Sequence, residues 1–274
     1  MQRPSLVASD VDGTLLDPLG RVSPRTAEVV GRVLAADVPF VLATGRPPRW
    51  VPEVADATGL TGYAVCSNGA VLYDIGADRV VSAELLTPVQ LHDLAAVLDE
   101  ALPGCSMASE RVADGVRDGA PVDAEFISDE HYLHPWDEGA QPLPGHQRAQ
   151  LLGLPAVKLL VRHPRMTSEE MALAVGPLVG DRVAMTYSTN EGLLEFAAPG
   201  VSKATGLAAV AERLGVPASG VLAFGDMPND VPMLAWAGHG VAMGNAHPDA
   251  KAAAAEVTAA NADDGVALVL ERWF

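Results

Sequence analysis

Four short stretches of this chain place carboxylates, a hydroxyl and one lysine at spacings that invite chemistry. The first is Asp10-Val11-Asp12-Gly13-Thr14-Leu15-Leu16-Asp17. Two carboxylates two residues apart repel unless a cation or a proton lies between them. At neutral pH a hard cation such as Mg²⁺, which prefers oxygen ligands, is the expected partner. Strand side chains alternate, so Asp10 and Asp12 face one site only if the chain turns between them, and Gly13 permits that turn. An EF-hand loop does not fit: counted from Asp10, its fifth and sixth positions would be Thr14 and Leu15. The second stretch is Thr44-Gly45-Arg46, a hydroxyl and glycine ahead of a helix opening at Pro47-Pro48. Its hydroxyl and backbone N–H groups make a small anion site, with Arg46 as a candidate substrate contact. The third is Lys203, in the first turn of a helix. The helix macrodipole disfavours a cation there, so a functional reason is sought; the surrounding glycines lack Walker A spacing. The fourth is Gly225-Asp226-Met227-Pro228-Asn229-Asp230, three oxygen-bearing residues within five positions, suited to Mg²⁺. Taken singly, these strings also read as a solvated turn, a strand-to-helix connection, a surface lysine and a helix cap.

The elements around them share one design. Leu6–Ser9, Val38–Ala43 and Val221–Phe224 are short apolar runs that read as buried strands, and each ends at one of the strings. Ser23 and Pro24 suit the N-cap and first position of a helix, whose apolar face carries Ala27, Val30, Val33 and Leu34. Strand, helix, strand with short connections implies a right-handed parallel crossover. Tyr63–Cys66 is a third strand, with Cys66 a packed strand residue rather than a nucleophile. Val71–Tyr73 and Val80–Ser82 form a hairpin. From Leu86 the texture changes. A helix follows Thr87-Pro88, then a loop-rich interval holding Pro135, Pro142 and Pro144. Beyond it a strand spans Ala156 to Arg162, Thr167 and Glu170 form a capping box, and Val183–Tyr187 is a strand. His131, His134 and His146 are too irregularly spaced for a metal site and read as loop residues. Leu193–Phe196 is expected to begin the return to the first domain. A short helix from His247-Pro248 and a last helix near Asp263–Arg272 close the chain.

Composition sets limits. The chain has 274 residues, enough for two domains, and with 49% apolar and 19% charged residues it is globular. A net charge of −17 argues against nucleic-acid binding. It leaves room for an anionic metabolite, because a metal and a few cations dominate the field of one cleft. Two cysteines make no disulfide framework, which points to a reduced, cytoplasmic setting. The N-terminal residues lead straight into a strand, so no signal peptide is expected. No apolar run approaches the ~18–20 residues of a membrane span, so no membrane partner is expected.

The strings also occur in a familiar order. Asp-x-Asp-Gly-Thr-Leu resembles the first motif of the haloacid dehalogenase superfamily of phosphohydrolases. Thr44 matches the Thr or Ser of its second motif, Lys203 resembles the third, and Gly-Asp-x-x-Asn-Asp is similar to the fourth motif of Cof-like members. Ser67-Asn68-Gly69-Ala70 also resembles that branch. The resemblance implies an α/β fold, a Rossmann-like parallel-sheet core over 1–82 and 190–274, with an α+β cap of type IIB inserted over 83–189. It implies Mg²⁺-dependent hydrolysis of a small phosphorylated metabolite, a sugar phosphate or similar, through an aspartyl-phosphate. A phosphosugar mutase and a non-catalytic phosphometabolite sensor share the same core and stay open. By resemblance Asp10 is the nucleophile and Asp12 the general acid and then base. Thr44 and Lys203 hold phosphate oxygens, and Gly45 and Arg46 contact substrate. Asp10, the Asp12 backbone carbonyl and Asp226 bind Mg²⁺, with Asn229 and Asp230 in support. The insertion is expected to cover the site and discriminate among substrates, with hinges near Ser82–Leu86 and Tyr187–Gly192. Oligomeric state is not implied.

Overall fold

The structure is a computed structural model that describes residues 2–112, 126–132 and 148–274. The described strands, in chain order, are β1 (Leu6–Ser9), β2 (Phe40–Ala43), β3 (Tyr63–Cys66), β4 (Val71–Asp74), β5 (Arg79–Ala83), β6 (Ser106–Glu110), β7 (Phe126–Ser128), β8 (Lys158–Arg162), β9 (Ala184–Thr186), β10 (Leu193–Ala197), β11 (Val221–Gly225), β12 (His239–Ala242) and β13 (Glu256–Val257). They form two sheets, β13-β12-β11-β1-β2-β3-β4-β5 and β7-β6-β8-β10-β9. The chain divides accordingly into two compact units. One contains Met1–Ser82 and Ser202–Phe274; the other contains the remaining described residues.

In the first unit β1 lies between β11 and β2, parallel to both. Leu6, Val7, Ala8 and Ser9 are all buried, as are all five residues of β11. Such two-sided burial explains why these strands read as unbroken apolar runs. The register pairs Ser9 with both Phe224 and Leu42, and Ala43 with Val65. The carboxyl ends of four strands are therefore level, and Asp10, Thr44, Ser67 and Asp226 leave the sheet along one edge. Ligands of open parallel sheets bind along such an edge. The helix Lys203–Arg213 packs Leu207, Val210 and Ala211 on the cluster of Leu6, Val41, Val65 and Val221. Ser202 caps it by accepting from the Thr205 N–H, so the first residue of the helix is Lys203.

The second unit has its own core. Leu91, Leu94 and Leu98 of the helix Pro88–Ala101 pack with Met171 and Val175 of the helix Ser168–Val179. Both rest on Leu159, Val161, Leu194 and Phe196 of the sheet. Each helix starts with a reciprocal capping box, Thr87 with Gln90 and Thr167 with Glu170. Two features depart from the sequence reading. First, β10 does not begin a return to the first unit: it pairs antiparallel with β8 and β9, and the second unit runs to Val201. Consequently Tyr187–Gly192 joins two strands of one sheet and is not a connection between units; the crossing lies at Val201–Ser202. Second, the loop-rich interval contains β6, paired with both β7 and β8. His131 is exposed; His134 and His146 lie outside the described residues. No helix among the described residues is long and apolar enough to cross a membrane.

Candidate active site

Asp10 follows β1 directly and Asp226 follows β11, so the sheet itself sets them side by side. The Asp10 N–H donates to Phe224 O at 3.0 Å. Asp10, Asp226 and Asp230 each offer a carboxylate oxygen, and the three atoms lie within 4.8 Å of one another in buried surroundings. The Lys203 side chain enters this cluster fully buried. Its Nζ donates to Asp10 Oδ1 at 2.5 Å and to Asp230 Oδ1 at 2.6 Å. The second oxygen of Asp230 accepts from the backbone N–H groups of Asp226 (2.9 Å) and Met227 (3.0 Å). Asp230 thus closes its own turn and anchors the lysine. Asp226 is held by Thr14, whose Oγ1 donates to Asp226 Oδ1 at 3.1 Å. Gly13 has φ +77°, and a Cβ there would stand 2.3 Å from Asp226 Oδ2. Only glycine allows both that backbone conformation and that approach.

Charges in the cluster do not balance. With all three carboxylates ionised (−3) around one ammonium (+1), the buried space would carry −2. Burial is the main force lifting the Asp10 carboxyl well above its ordinary range; Lys203 opposes it without cancelling it. Burial, reinforced by Asp230, pushes Asp226 up to about 7. For Lys203 burial acts downward, but Asp10 and Asp230 outweigh it and hold the ammonium charged. A buried all-oxygen donor set with this excess fits a divalent cation. Asn229 adds an oxygen: its Nδ2 donates to Asn68 Oδ1 at 3.1 Å, while its buried Oδ1 has no hydrogen-bond partner among the described residues.

Asp12 goes elsewhere. Its carboxylate stands outside the buried cluster, more than half exposed, and is gripped by Arg46, which donates from Nε to Oδ2 (2.8 Å) and from Nη2 to Oδ1 (2.7 Å). The expectation that Asp10 and Asp12 share a cation between their carboxylates is corrected on this point. The turn at Asp12 and Gly13 directs the two side chains apart, and each meets a different protein cation. The carboxylate beside Asp10 is that of Asp226. Arg46, expected to contact substrate, is engaged with Asp12. Thr44 is buried, and its Oγ1 accepts the Arg46 N–H at 3.0 Å, which leaves the hydroxyl proton free to donate. Gly45 lies against Asn68: a Cβ there would be 3.1 Å from its Oδ1.

Sequence reasoning did not single out Thr14, Asn68 or Asn245 as site residues. Thr14 lies inside the first string and Asn68 inside a string noted for its family likeness. Asn245, in the loop after β12, donates from Nδ2 to Gly13 O at 2.8 Å and accepts the Asn261 N–H at 3.0 Å. It pins the acidic turn from the far side, and no spacing in the sequence announces it.

The sequence profile described as haloacid dehalogenase-like hydrolase matches residues 7–270. The chain belongs to that family. Its relatives include an HMP-PP phosphatase of Serratia proteamaculans, 31% identical over 251 residues, covering 90% of this chain and 86% of the relative. A 5-amino-6-(5-phospho-D-ribitylamino)uracil phosphatase of Bacillus subtilis is 27% identical, covering 99% and 98%. In fold the chain resembles a phosphatase of the superfamily from Bacteroides thetaiotaomicron, with a TM-score of 0.79, 24% identity and coverage of 98% and 95%. It also resembles a subclass IIB sugar phosphatase, with a TM-score of 0.79, 20% identity and coverage of 98% of each chain.

Proposed function

We propose that this hydrolase is a Mg²⁺-dependent phosphatase acting on a small phosphorylated metabolite, with Asp10 as nucleophile. The observation that carries the reading is the buried cluster of Asp10, Asp226 and Asp230 around the one ammonium of Lys203, an oxygen donor set whose full ionisation needs a further cation. Phosphoryl transfer asks the protein chiefly for positioning and charge stabilisation. Asp10 and Asp226, with the Asp12 backbone carbonyl, would hold the cation, and Asn229 and Asp230 support them. When bound, the cation offsets charge on the transferring group and keeps both carboxylates ionised.

The protein's own groups do the rest. Lys203 fixes Asp10 through Oδ1, so the other oxygen, Oδ2, is the one presented to phosphorus. Attack forms the Asp10–phosphorus bond and breaks the ester bond; the leaving oxygen takes its proton from Asp12. Water then gives a proton to Asp12 and attacks the same phosphorus, releasing phosphate and the Asp10 carboxylate. Thr44 and the remaining N–H of Lys203 serve the non-bridging oxygens. Arg46 holds Asp12 in place and stands next to the entering phosphate. The relatives act, by name, on HMP-PP, 5-amino-6-(5-phospho-D-ribitylamino)uracil and pyridoxal phosphate. All are small phosphorylated compounds, and we assign this chain a substrate of that class. Every residue given a role lies in the first unit, so we assign discrimination among leaving groups to the insertion. The test is a panel of phosphomonoesters incubated with the purified protein and Mg²⁺. Release of inorganic phosphate, abolished by chelator and by Asp10→Asn, supports the reading. Retention of phosphate with isomerised sugar phosphate would point to a mutase, and binding without turnover to a sensor.

A further inference from the structure

No step of the reaction uses the turn Ser67-Asn68-Gly69, yet it holds the only run of three successive positive-φ residues among the described residues. Its three residues have φ of 51°, 58° and 104° in succession. Non-glycine residues avoid this region, and such strain persists only where the surroundings enforce it. Here three site loops do so. The Ser67 N–H donates to Arg46 O at 2.9 Å and the Asn68 N–H to Thr44 O at 3.0 Å. Gly69 lies so close to the start of the lysine helix that a Cβ would stand 2.0 Å from Ser202 O. From the centre of this junction the buried Asn68 side chain reaches Asn229.

The chemistry of that contact has a direction. A carboxamide oxygen only accepts, so Asn68 Oδ1 requires the amino end of Asn229. Asn229 is therefore turned with its own oxygen away from Asn68. That oxygen is buried, in the same turn as Asp226 and Asp230, and no group among the described residues donates to it. An unpaired buried acceptor is costly, so a non-protein partner is expected. A phosphate oxygen is itself an acceptor and does not serve. A cation, or a water polarised by one, does.

We infer that Asn68 is a positioning residue for the cation site: it fixes the carboxamide of Asn229 so that Oδ1 faces the cation or its bound water. The inference rests on the cation-dependent reading given above. It adds that Asn229 acts on the metal side and not on phosphate, and that its orientation is set from a different strand.

The test is calorimetric titration of the full chain with Mg²⁺ alone, and of the Mg²⁺-loaded chain with orthovanadate. Asn68→Gly keeps the left-handed backbone without strain and removes the acceptor. Groups that orient metal ligands typically contribute 10–100-fold to metal affinity. The expected result is a Mg²⁺ Kd at least ~10-fold weaker in Asn68→Gly. Asn68→Asp, which keeps an acceptor oxygen in place, should bind no more weakly than the parent. Vanadate affinity at saturating Mg²⁺ should be unchanged in both. Circular dichroism confirms that each variant is folded. A folded Asn68→Gly chain with parental Mg²⁺ affinity overturns the inference while leaving the cation reading intact. So does weakened vanadate binding at unchanged Mg²⁺ affinity, which would put the Asn229 amino group on phosphate. A parent that binds no Mg²⁺ overturns both readings.

Discussion

Protonation and cation binding compete for the same two carboxylates, and the structure fixes the pH at which the competition turns. Varying pH with and without Mg²⁺ separates the two. The Asp226 carboxyl lies at about 7 instead of 3.8 because it is buried and stands beside Asp230. A carboxyl raised in the folded state takes up a proton on folding, so stability is lost as pH climbs from about 4 to about 7. At ~1.4 kcal/mol per pKa unit, the cost to the cation-free protein is on the order of 4 kcal/mol. Asp10 contributes in the same direction. A cation that requires ionised Asp226 must displace this proton. Its apparent Kd then weakens ~10-fold for each pH unit below 7, or about 100-fold at pH 5. With Mg²⁺ fixed at ~100 times its pH 8 Kd, stabilisation is about 2.7 kcal/mol at pH 8 and about 0.4 kcal/mol at pH 5. The assay is thermal melting in matched buffers with Mg²⁺ or with chelator. Taking ~2–4 °C per kcal/mol, the gap between the two melts should be roughly 5–11 °C at pH 8 and should nearly close at pH 5. Comparing the two curves at each pH cancels groups remote from the site, such as Glu256, which Arg272 pulls down to about 2. A gap of equal size at pH 5 and pH 8, or one that widens on acidification, refutes the reasoning.

Other perturbations have equally definite outcomes. Lys203→Met keeps the buried volume but strands Asp10 and Asp230. Breaking a buried pair in this way costs about 3–5 kcal/mol, read by urea unfolding at pH 8, with a smaller loss at pH 5.5, where the raised Asp10 carboxyl is freer to protonate. Arg46→Ala removes the two-pronged grip on Asp12. The kcat on alkyl phosphates should fall by up to the ~10²–10⁴-fold that general acid–base catalysis provides, and kcat on an aryl phosphate, whose leaving group needs less protonation, should fall less. Replacing residues 83–201 by a Gly/Ser linker should leave a folded first unit that still hydrolyses an aryl phosphate but no longer ranks sugar phosphates as the parent does; an unchanged ranking would remove discrimination from the insertion.

Much of this site is legible in the sequence because strand ends are. Leu6–Ala8 and Val221–Phe224 are apolar without interruption, as doubly covered strands must be, and the first carboxylate after each, Asp10 and Asp226, marks the sheet edge. Ser202 and Thr205 announce where the lysine helix starts. What is not legible is direction. The backbone angles at Asp12 and Gly13 decide that Asp12 meets Arg46 and not Asp226, and an Asp-x-Asp-Gly string is compatible with either. Asn68 and Asn229 are 161 positions apart, and single amides have no spacing signature. The limits of the insertion were blurred for a related reason. In Leu193–Ala197 a single polar residue, Glu195, stands among apolar ones, a pattern that suits a buried strand of either sheet; pairing with β8 and β9 on its two sides settles the matter. Strand β6, Ser106–Glu110, is rich in small and polar residues, so its sequence gives no strand pattern even though all five residues are buried.

Asp10 as the carrier of the phosphoryl group is open to a direct trapping experiment. Asp12→Asn with an aryl phosphate and Mg²⁺ keeps the nucleophile, needs little acid for the first step and lacks the base for the second. Acid quenching, proteolysis and mass spectrometry then locate the phosphate. A phosphorylated peptide containing Asp10 is expected, absent from the Asp10→Asn, Asp12→Asn double variant and absent in chelator. Phosphate found on another residue, or steady turnover by Asp12→Asn with Asp10 unmodified throughout, would contradict it.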